Sequence, residues 1–332
     1  MQRVIKRSVP SVRKVKYVPK YDAIIGSDPH IREDVPICRT DDYLSAQYTK
    51  MAFIRDLCMD NNNAPFLCAG DLFDVWHVAS SEKKVSWLLS KCLEFLPAMT
   101  IVVPGQHDLA NHSLKELPKT GLQTLVQAGR VLILSGGFQR VLGDPTHGLT
   151  SVSGYAYGEV AKNVPKSDKN RKHILLWHRL TCVDKQPFPD AGAERSHILL
   201  KSLSGYDLIV TGDNHQQFHV ESTNERRHLV NPGSMMRMSA DQIDFEPAVF
   251  GWCAKDNSIT RIPLPIKKGV VSREHLNKEK KETRDLRMSA YIKRAQKSYE
   301  TKLSYTENLK RHIKKNKVGK EVEELVWEAV GE

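Results

Sequence analysis

Five short apolar runs in this chain each stop at a side chain that can hold a metal ion or move a proton. Residues 23–26 lead into Asp28-Pro29-His30, and residues 64–69 into Gly70-Asp71-Leu72-Phe73-Asp74. Residues 101–103 lead into Gly105-Gln106-His107-Asp108, residues 174–177 into His178, and residues 208–210 into Gly212-Asp213-Asn214-His215. A short apolar run bounded by turn residues has the pattern of a buried strand. Positions just past the carboxyl ends of strands are where α/β folds gather their ligands. One such motif alone is usually a turn with a solvated polar residue, and a lone His178 is usually a satisfied core-edge histidine. Five in order constrain the chain far more: they ask for a sheet-based fold that brings strand ends together.

The segments between the runs agree. Residues 41–59 have apolar positions at helical spacing behind a capping Asp41 or Asp42, and Asn61-Asn62-Asn63 ends them. Residues 81–95 repeat the pattern behind Ser80 or Ser81, and Pro97 closes it. Strand, helix, strand, helix, strand with short loops is the order of βαβ units. After Asp108 the runs become β-like, at residues 130–134, 138–142, 149–152, 173–177, 208–210, 218–221, 228–231, 248–254 and 259–262, with one helix predicted over 193–203. The expected architecture is α/β (α+β): two mixed β-sheets packed face to face with flanking helices, plus a C-terminal helical tail. No segment repeats internally.

Charge divides the chain differently. Residues 1–20 hold seven Lys and Arg and no acid, and residues 267–332 hold eighteen against eleven acids, so the middle is slightly acidic although the whole carries +11. This gives a basic arm (1–20), a body (21–266) and a basic helical region (267–332). Basic ends suit a polyanion such as DNA, and suit a merely solvated surface equally well. Helices are expected over 274–298, 300–316 and 319–330, with too few apolar residues for a core of their own. Leu303, Tyr305, Leu309, Ile313, Val322, Leu325, Val326 and Trp327 form the stripe that would dock on the body or on a partner. The six cysteines are scattered without paired spacing, as in a reducing, cytoplasmic setting. No apolar stretch approaches the ~20 residues that span a bilayer, and the basic N-terminus lacks the apolar core of a secretory signal.

Asp, His and Gln at strand ends are oxygen and imidazole donors, and no cysteine joins them, which argues against a structural zinc site. They are too many for one ion. Two divalent ions about 3.5–4 Å apart, sharing a carboxylate, would use them all, and such pairs catalyse in-line phosphoester hydrolysis.

In this order, Asp28-x-His30, Gly70-Asp71-x-x-Asp74, Gly105-Gln106-His107-Asp108, a lone His178 and Gly212-Asp213-x-His215 resemble the calcineurin-like metallophosphoesterase superfamily. The likeness covers about residues 21–265. Within it, Gly70-Asp71-Leu72-Phe73-Asp74 and Asn231-Pro232-Gly233-Ser234 with Arg237 resemble the SbcD-type DNA repair nucleases, including phage recombination nucleases. The resemblance implies that Asp28, His30 and His215 hold a first metal and that Asp71 bridges two. Gln106, His178 and Asp213 would hold the second, His107 would protonate the leaving oxygen, and Asp108 would orient His107. It implies a nuclease subunit working with an SbcC-like, structural-maintenance-type ATPase gripped by the C-terminal helices, and a homodimer, in the cytoplasm of the cell or of a phage host.

Two positions depart from the family pattern. Gln106 stands where Asn is usual, and Asp213 where His is usual. An added carboxylate favours harder ions, Mn²⁺ first and Mg²⁺ second. Asp74 is expected to cap or support, and the Gly233-Ser234 turn either shapes the site or is a plain turn. Two other functions remain open: a phosphatase or phosphodiesterase acting on a protein or small nucleotide, and a non-catalytic DNA-binding protein on a decayed nuclease fold. Protein phosphatases of the superfamily carry Asp-Arg-Gly and a later Glu where this chain has Asp74-Val75-Trp76 and Asp108, which weakens the first. Gln106 and Asp213 are the only support for the second.

Overall fold

The computed structural model describes residues 21–77, 82–144, 148–164, 171–222, 226–276, 286–290 and 305–330. The basic arm, the Ser80 and Ser81 caps, Leu303 and most of the helix expected over 274–298 lie outside them.

The apolar runs become the central strands of two six-stranded sheets. In the first, β1 (Ala23–Gly26), β2 (Phe66–Cys68), β3 (Thr100–Val102) and β4 (Val131–Ile133) run parallel in that order. The second starts at its edge with β5 (Gln139–Asp144), antiparallel to β6 (Gly148–Tyr155). β7 (Lys172–Trp177) pairs parallel with β6. Thr181–Cys182 (β8) and Glu194–Arg195 (β9) make a separate two-stranded ribbon. β10 (Leu208–Thr211) lies between β7 and β12 (His228–Asn231), parallel to both, and β11 (Phe218–Glu221) closes that edge antiparallel. β13 (Ala248–Cys253) returns to the first sheet, antiparallel to β1, with β14 (Ser258–Pro263) outside it. Each sheet is thus four parallel strands flanked by antiparallel ones, the mixed pairing expected of these runs.

Side-chain alternation assigns the faces. Ile25, Leu67, Ala69, Ile101 and Val103 of the first sheet share a cluster with Val152, Ile174, Leu176, Val210 and Val230 of the second. Ile24, Phe66, Cys68 and Val102 point the other way, onto the helices. On the far side of the second sheet, Leu175, Trp177, Ile209 and Leu229 meet Leu199, Leu200 and Leu203. The strands are therefore buried on both faces, which is why they are apolar without interruption. Each fully buried Leu or Ile contributes about 1.5–3 kcal/mol relative to exposure.

Helix α1 (Tyr43–Asp60) starts where Asp42 accepts a hydrogen bond from the Ser45 N–H at 3.0 Å. Asp41, the other candidate cap, instead accepts two bonds from the Arg39 guanidinium. The helix ends as the asparagines require: Asn61 caps backwards onto Leu57, and Asn62 and Asn63 take left-handed φ of 57° and 56°. α2 (Glu82–Phe95) and α3 (Gly121–Gln127) follow. The helix expected over 193–203 is shorter, α4 (Ser196–Ser202), because Glu194 and Arg195 pair with β8 instead.

The body runs to Val271, and residues 272–332 form a second compact unit. Residues 267–271, placed with the tail by charge alone, belong to the body: Val270 and Val271 cluster with Cys38 and Ala240. In the second unit, α5 (Tyr305–Lys315) and α6 (Lys320–Val330) contribute Leu309, Ile313 and Val326 to a small cluster with Met288, Val318 and Trp327. The tail, expected to have no core, has a small one.

Candidate metal centre

The loops after β1, β2, β3, β7 and β10 meet, so the two sheets contribute to one site. Backbone bonds lock the first two loops together: Asp28 N–H to Gly70 C=O at 3.1 Å, and His30 N–H to Asp71 C=O at 3.0 Å. Side chains join the rest. The Asp213 N–H donates to the Asp28 carboxylate, and the His107 N–H donates to Asp71 Oδ1 at 2.9 Å. Ser27 Oγ also donates to Asp28. Asn231, at the end of β12, donates to the carbonyls of Asn214 and Gln216, and Ser234 N–H to that of His215, so the Asn231–Ser234 turn holds the His215 loop.

This convergence strains the backbone. Asp28, His30, Asp71 and Asp213 all have positive φ, between 45° and 72°. Such residues cost of order 1–3 kcal/mol each and persist where surrounding bonds overdetermine them. Close approach also explains three glycines. A Cβ on Gly70 would lie 2.1 Å from His178 Nδ1, one on Gly105 2.1 Å from Asp71 Oδ1, and one on Gly212 2.3 Å from the Ala69 carbonyl. Gly105→Ala should therefore displace Asp71 and cost about 1–3 kcal/mol of stability. Denaturant titration and the metal content of purified protein check this; a variant with wild-type stability and metal content would contradict it.

Two donor sets result. Asp28, His30 and His215 offer atoms within 4.8 Å of one another, and so do Asp28, Asp71 and His178. His30 Nε2 lies 3.1 Å from His215 Nε2 and 3.8 Å from Asp71 Oδ2, which in turn is 3.5 Å from His178 Nε2. Asp71 Oδ2 therefore stands between His30 and His178, one histidine of each set, while Asp28 belongs to both sets. It is buried and meets no hydrogen-bond donor among the described residues.

The second set also fixes its own protons. Asp213 Oδ1, an acceptor, lies 2.6 Å from the Gln106 amide, so the amide turns its NH₂ there and its Oε1 towards His178. His178 Nδ1 lies 2.6 Å from the Ala69 carbonyl and must donate to it. His178 Nε2 lies 2.6 Å from Gln106 Oε1 and 3.5 Å from Asp71 Oδ2. Nε2, Oε1 and Oδ2 thus converge, an imidazole nitrogen, an amide oxygen and a carboxylate oxygen that can each ligate a cation. The acid–base balance agrees: burial, then Asp108 and Asp28, push the Asp71 carboxyl well above its ordinary range. The residues fit two divalent ions sharing Asp71.

Asp213 differs from the sequence expectation. It lies in none of the compact donor groups and reaches the second set only through the Gln106 amide. Gln is one methylene longer than the usual Asn, and its amide spans the gap that Asp213 would otherwise bridge. Asp108 differs more. It does not touch His107; its carboxylate accepts from the N–H groups of Leu72, Phe73 and Gly105 at 3.0–3.2 Å. Burial raises its pKa, while those backbone donors oppose the rise. His107 is oriented instead by the Asp74 carbonyl, 2.7 Å from its Nδ1. Asp74 also faces His30 Nδ1 at 3.3 Å and Arg32 at 3.1 Å, and these partners hold it low despite burial. It belongs to the group His30, Asp74 and His107. Its supporting role is legible in the Gly-Asp-x-x-Asp spacing, whereas the support from Asn214 and Asn231 has no local signal.

No family profile and no curated protein matches the sequence. Solved structures do resemble the chain in fold. Sulfate thiohydrolase SoxB from Thermus thermophilus aligns at 14% identity and TM-score 0.45 over 75% of this chain, which spans 57% of that one. The calcineurin-like phosphoesterase YfkN from Bacillus subtilis aligns at 14% identity and TM-score 0.40, over 80% of this chain and 98% of the other. A dimetal phosphatase from Danio rerio aligns at 9% identity and TM-score 0.42, over 75% and 100%. These are distant likenesses, and what the site does rests on its own geometry. No described helix is long and apolar enough to cross a membrane.

Proposed function

We propose that this chain is a metal-dependent phosphoester hydrolase of the calcineurin-like type, and that its substrate is DNA. The observation that carries the hydrolase reading is Asp71 Oδ2, buried and without a donor between two sets of oxygen and imidazole ligands. Asp28, His30 and His215 would hold one ion, Gln106 and His178 the other, and Asp71 both. Bound there, the ions would supply Lewis-acid stabilisation of the phosphoryl oxygens and a nucleophile at neutral pH. Mn²⁺, then Mg²⁺, are the proposed ions, because Asp28, Asp71 and Gln106 would offer carboxylate and amide oxygens.

His107 is exposed at the mouth of this centre, its ring 4.9 Å from that of His30. With Nδ1 committed to the Asp74 carbonyl, Nε2 is the atom that would donate a proton to the leaving oxygen. Arg32 and Asp74 would keep that geometry by holding His30 and His107 from behind.

DNA is favoured over a small phosphoester by the basic flanks. The test is hydrolysis of end-labelled single- and double-stranded DNA by the purified chain with Mn²⁺ or Mg²⁺. Metal-dependent cleavage supports the reading. Hydrolysis of an aryl phosphodiester without any DNA cleavage would remove DNA and keep the hydrolase. Inactivity on both, with sub-stoichiometric metal, would favour the decayed nuclease fold.

The reading extends to a structural-maintenance-type ATPase as partner of the C-terminal helices. Its support is that residues 272–332 form a unit of their own, with paired amphipathic helices. Deleting them should abolish capture of such an ATPase in a pull-down and leave metal content unchanged. Undiminished capture would sink the partner proposal.

A further inference from the structure

Apart from the metal centre, a cavity of about 330 Å³ lies between the start of α1 and the segment after β14. Its charged lining is Arg39, Asp41, Asp42, Lys50, Arg237 and Lys267. Lys50 and Arg237 are buried, with 3% and 5% of their surface exposed. Lys50 Nζ donates to the Met235 carbonyl at 2.6 Å. Arg237 donates to the carbonyls of Ile243 and Lys267 at 3.1 and 2.7 Å, and its buried Nε meets no acceptor among the described residues.

Among the described residues neither cation is in a direct ion pair, although Asp41 acts on both at longer range. Of the two carboxylates in the lining, Asp41 is engaged by Arg39 in a two-bond pair, and Asp42 accepts the capping bond of α1. No carboxylate lies within ion-pair distance of Lys50 or Arg237 among the described residues. Neutral carbonyls satisfy hydrogen bonds but do not cancel charge, and a buried charge normally has an opposite charge beside it. Here Lys50, Arg237 and Arg39 line one cavity, with the exposed Lys267 also in its lining, so four cations face two carboxylates.

We propose that this cavity binds an oxyanion of the phosphate class, with Lys50 and Arg237 as its principal charge partners and Lys267 at its entrance. Burial, helped by Arg39 and Arg237 and opposed by Asp41, brings the Lys50 ammonium down to about 7. Several N–H donors converging on one oxyanion form the strong, charge-assisted class of hydrogen bond. The phosphate could be a free anion or a group of a nucleic-acid backbone passing the rim. The site neighbours the metal centre through Met235, whose N–H donates to the Asp28 carbonyl at 3.2 Å while its carbonyl holds Lys50. It does not depend on the hydrolase reading.

The experiment is calorimetric titration of sodium sulfate into the full chain in excess chelator, at constant ionic strength. Sulfate does not titrate near neutrality and cannot be hydrolysed. One saturable site is expected, weakened at least about tenfold in Lys50→Met and several-fold in Lys267→Ala, and unchanged in Asp71→Asn. Lys267 is exposed, so its variant keeps the test decisive should Lys50→Met fail to fold. Absence of saturable binding, equal affinity in both cavity variants, or loss of binding in Asp71→Asn would each overturn the proposal. Displacement of sulfate by an unphosphorylated oligothymidylate would identify a backbone contact. Displacement by inorganic phosphate alone would identify a free-anion site.

Discussion

Asp71→Asn is expected to remove at least one metal ion and lower phosphoester hydrolysis by roughly three orders of magnitude, while making the metal-free protein more stable. A metal ion contributes several kcal/mol of charge stabilisation in such reactions, and each 1.36 kcal/mol is about tenfold in rate. Asn keeps the shape and the Oδ1 acceptor for the His107 N–H. It loses the negative charge that faces His30 and His178, one histidine of each donor set. The stability gain follows from the same charge. Burial and the neighbouring Asp108 and Asp28 raise the Asp71 carboxyl well above its ordinary 3.8.

A carboxyl that binds its proton more tightly when folded stabilises the fold at low pH. That stability is lost as the pH rises from about 3.8 through the folded value. At neutral pH the chelated wild-type protein therefore carries a repulsion that Asn removes. The midpoint of thermal unfolding should rise by about 2–4 °C for every kcal/mol relieved. Metal analysis, turnover and thermal melts in chelator check all three. A chelated variant less stable than chelated wild type would show that Asp71 is not a charge held in place for a cation.

Asp108→Ala should be as damaging, and in a different currency. Its carboxylate satisfies three buried N–H groups, of Leu72, Phe73 and Gly105. Each donor left unsatisfied costs about 1–3 kcal/mol, so a loss of about 3 kcal/mol or more is expected from denaturant titration of the metal-free protein. The loops after β2 and β3 would separate, and Asp71 and Gln106 with them. The competing role, orienting His107, predicts wild-type stability with reduced turnover and an altered pH–rate profile. That outcome would reject the packing role.

Asp108 also illustrates how far the sequence could be read. Gly-x-His-Asp puts a carboxylate one residue from the histidine, and sequence adjacency suggests partnership. In the folded chain the side chain of Asp108 turns inward and that of His107 outward. The partner of His107 is the Asp74 carbonyl, a backbone atom with no signature in sequence. The Gln106–Asp213 contact is similar: two side chains 107 residues apart are joined in a single hydrogen bond. The tail is helical as its spacing asks, and its few apolar residues form a small cluster. A handful of apolar residues seemed too few to bury, but Leu309, Ile313 and Val326 meet one another across two helices.

What the sequence determined by itself is what depends on local patterning. The uninterrupted apolar runs specify strands buried on both faces, the Asp and Asn caps set the ends of α1, and five polar stops at strand ends put forward Asp28, His30, Asp71, Gln106, His107, Asp108, His178, Asp213 and His215 as candidates. These follow from periodicity, backbone preferences and side-chain chemistry, all short-range properties of the chain. Tertiary structure alone decided which of those atoms converge, which carboxylate accepts from the backbone of two loops, and that Lys50 and Arg237, 187 positions apart, line one cavity with no direct ion pair among the described residues. Electrostatic balance is a property of distances in space, and residues far apart in sequence acquire those distances only when the two sheets close on each other.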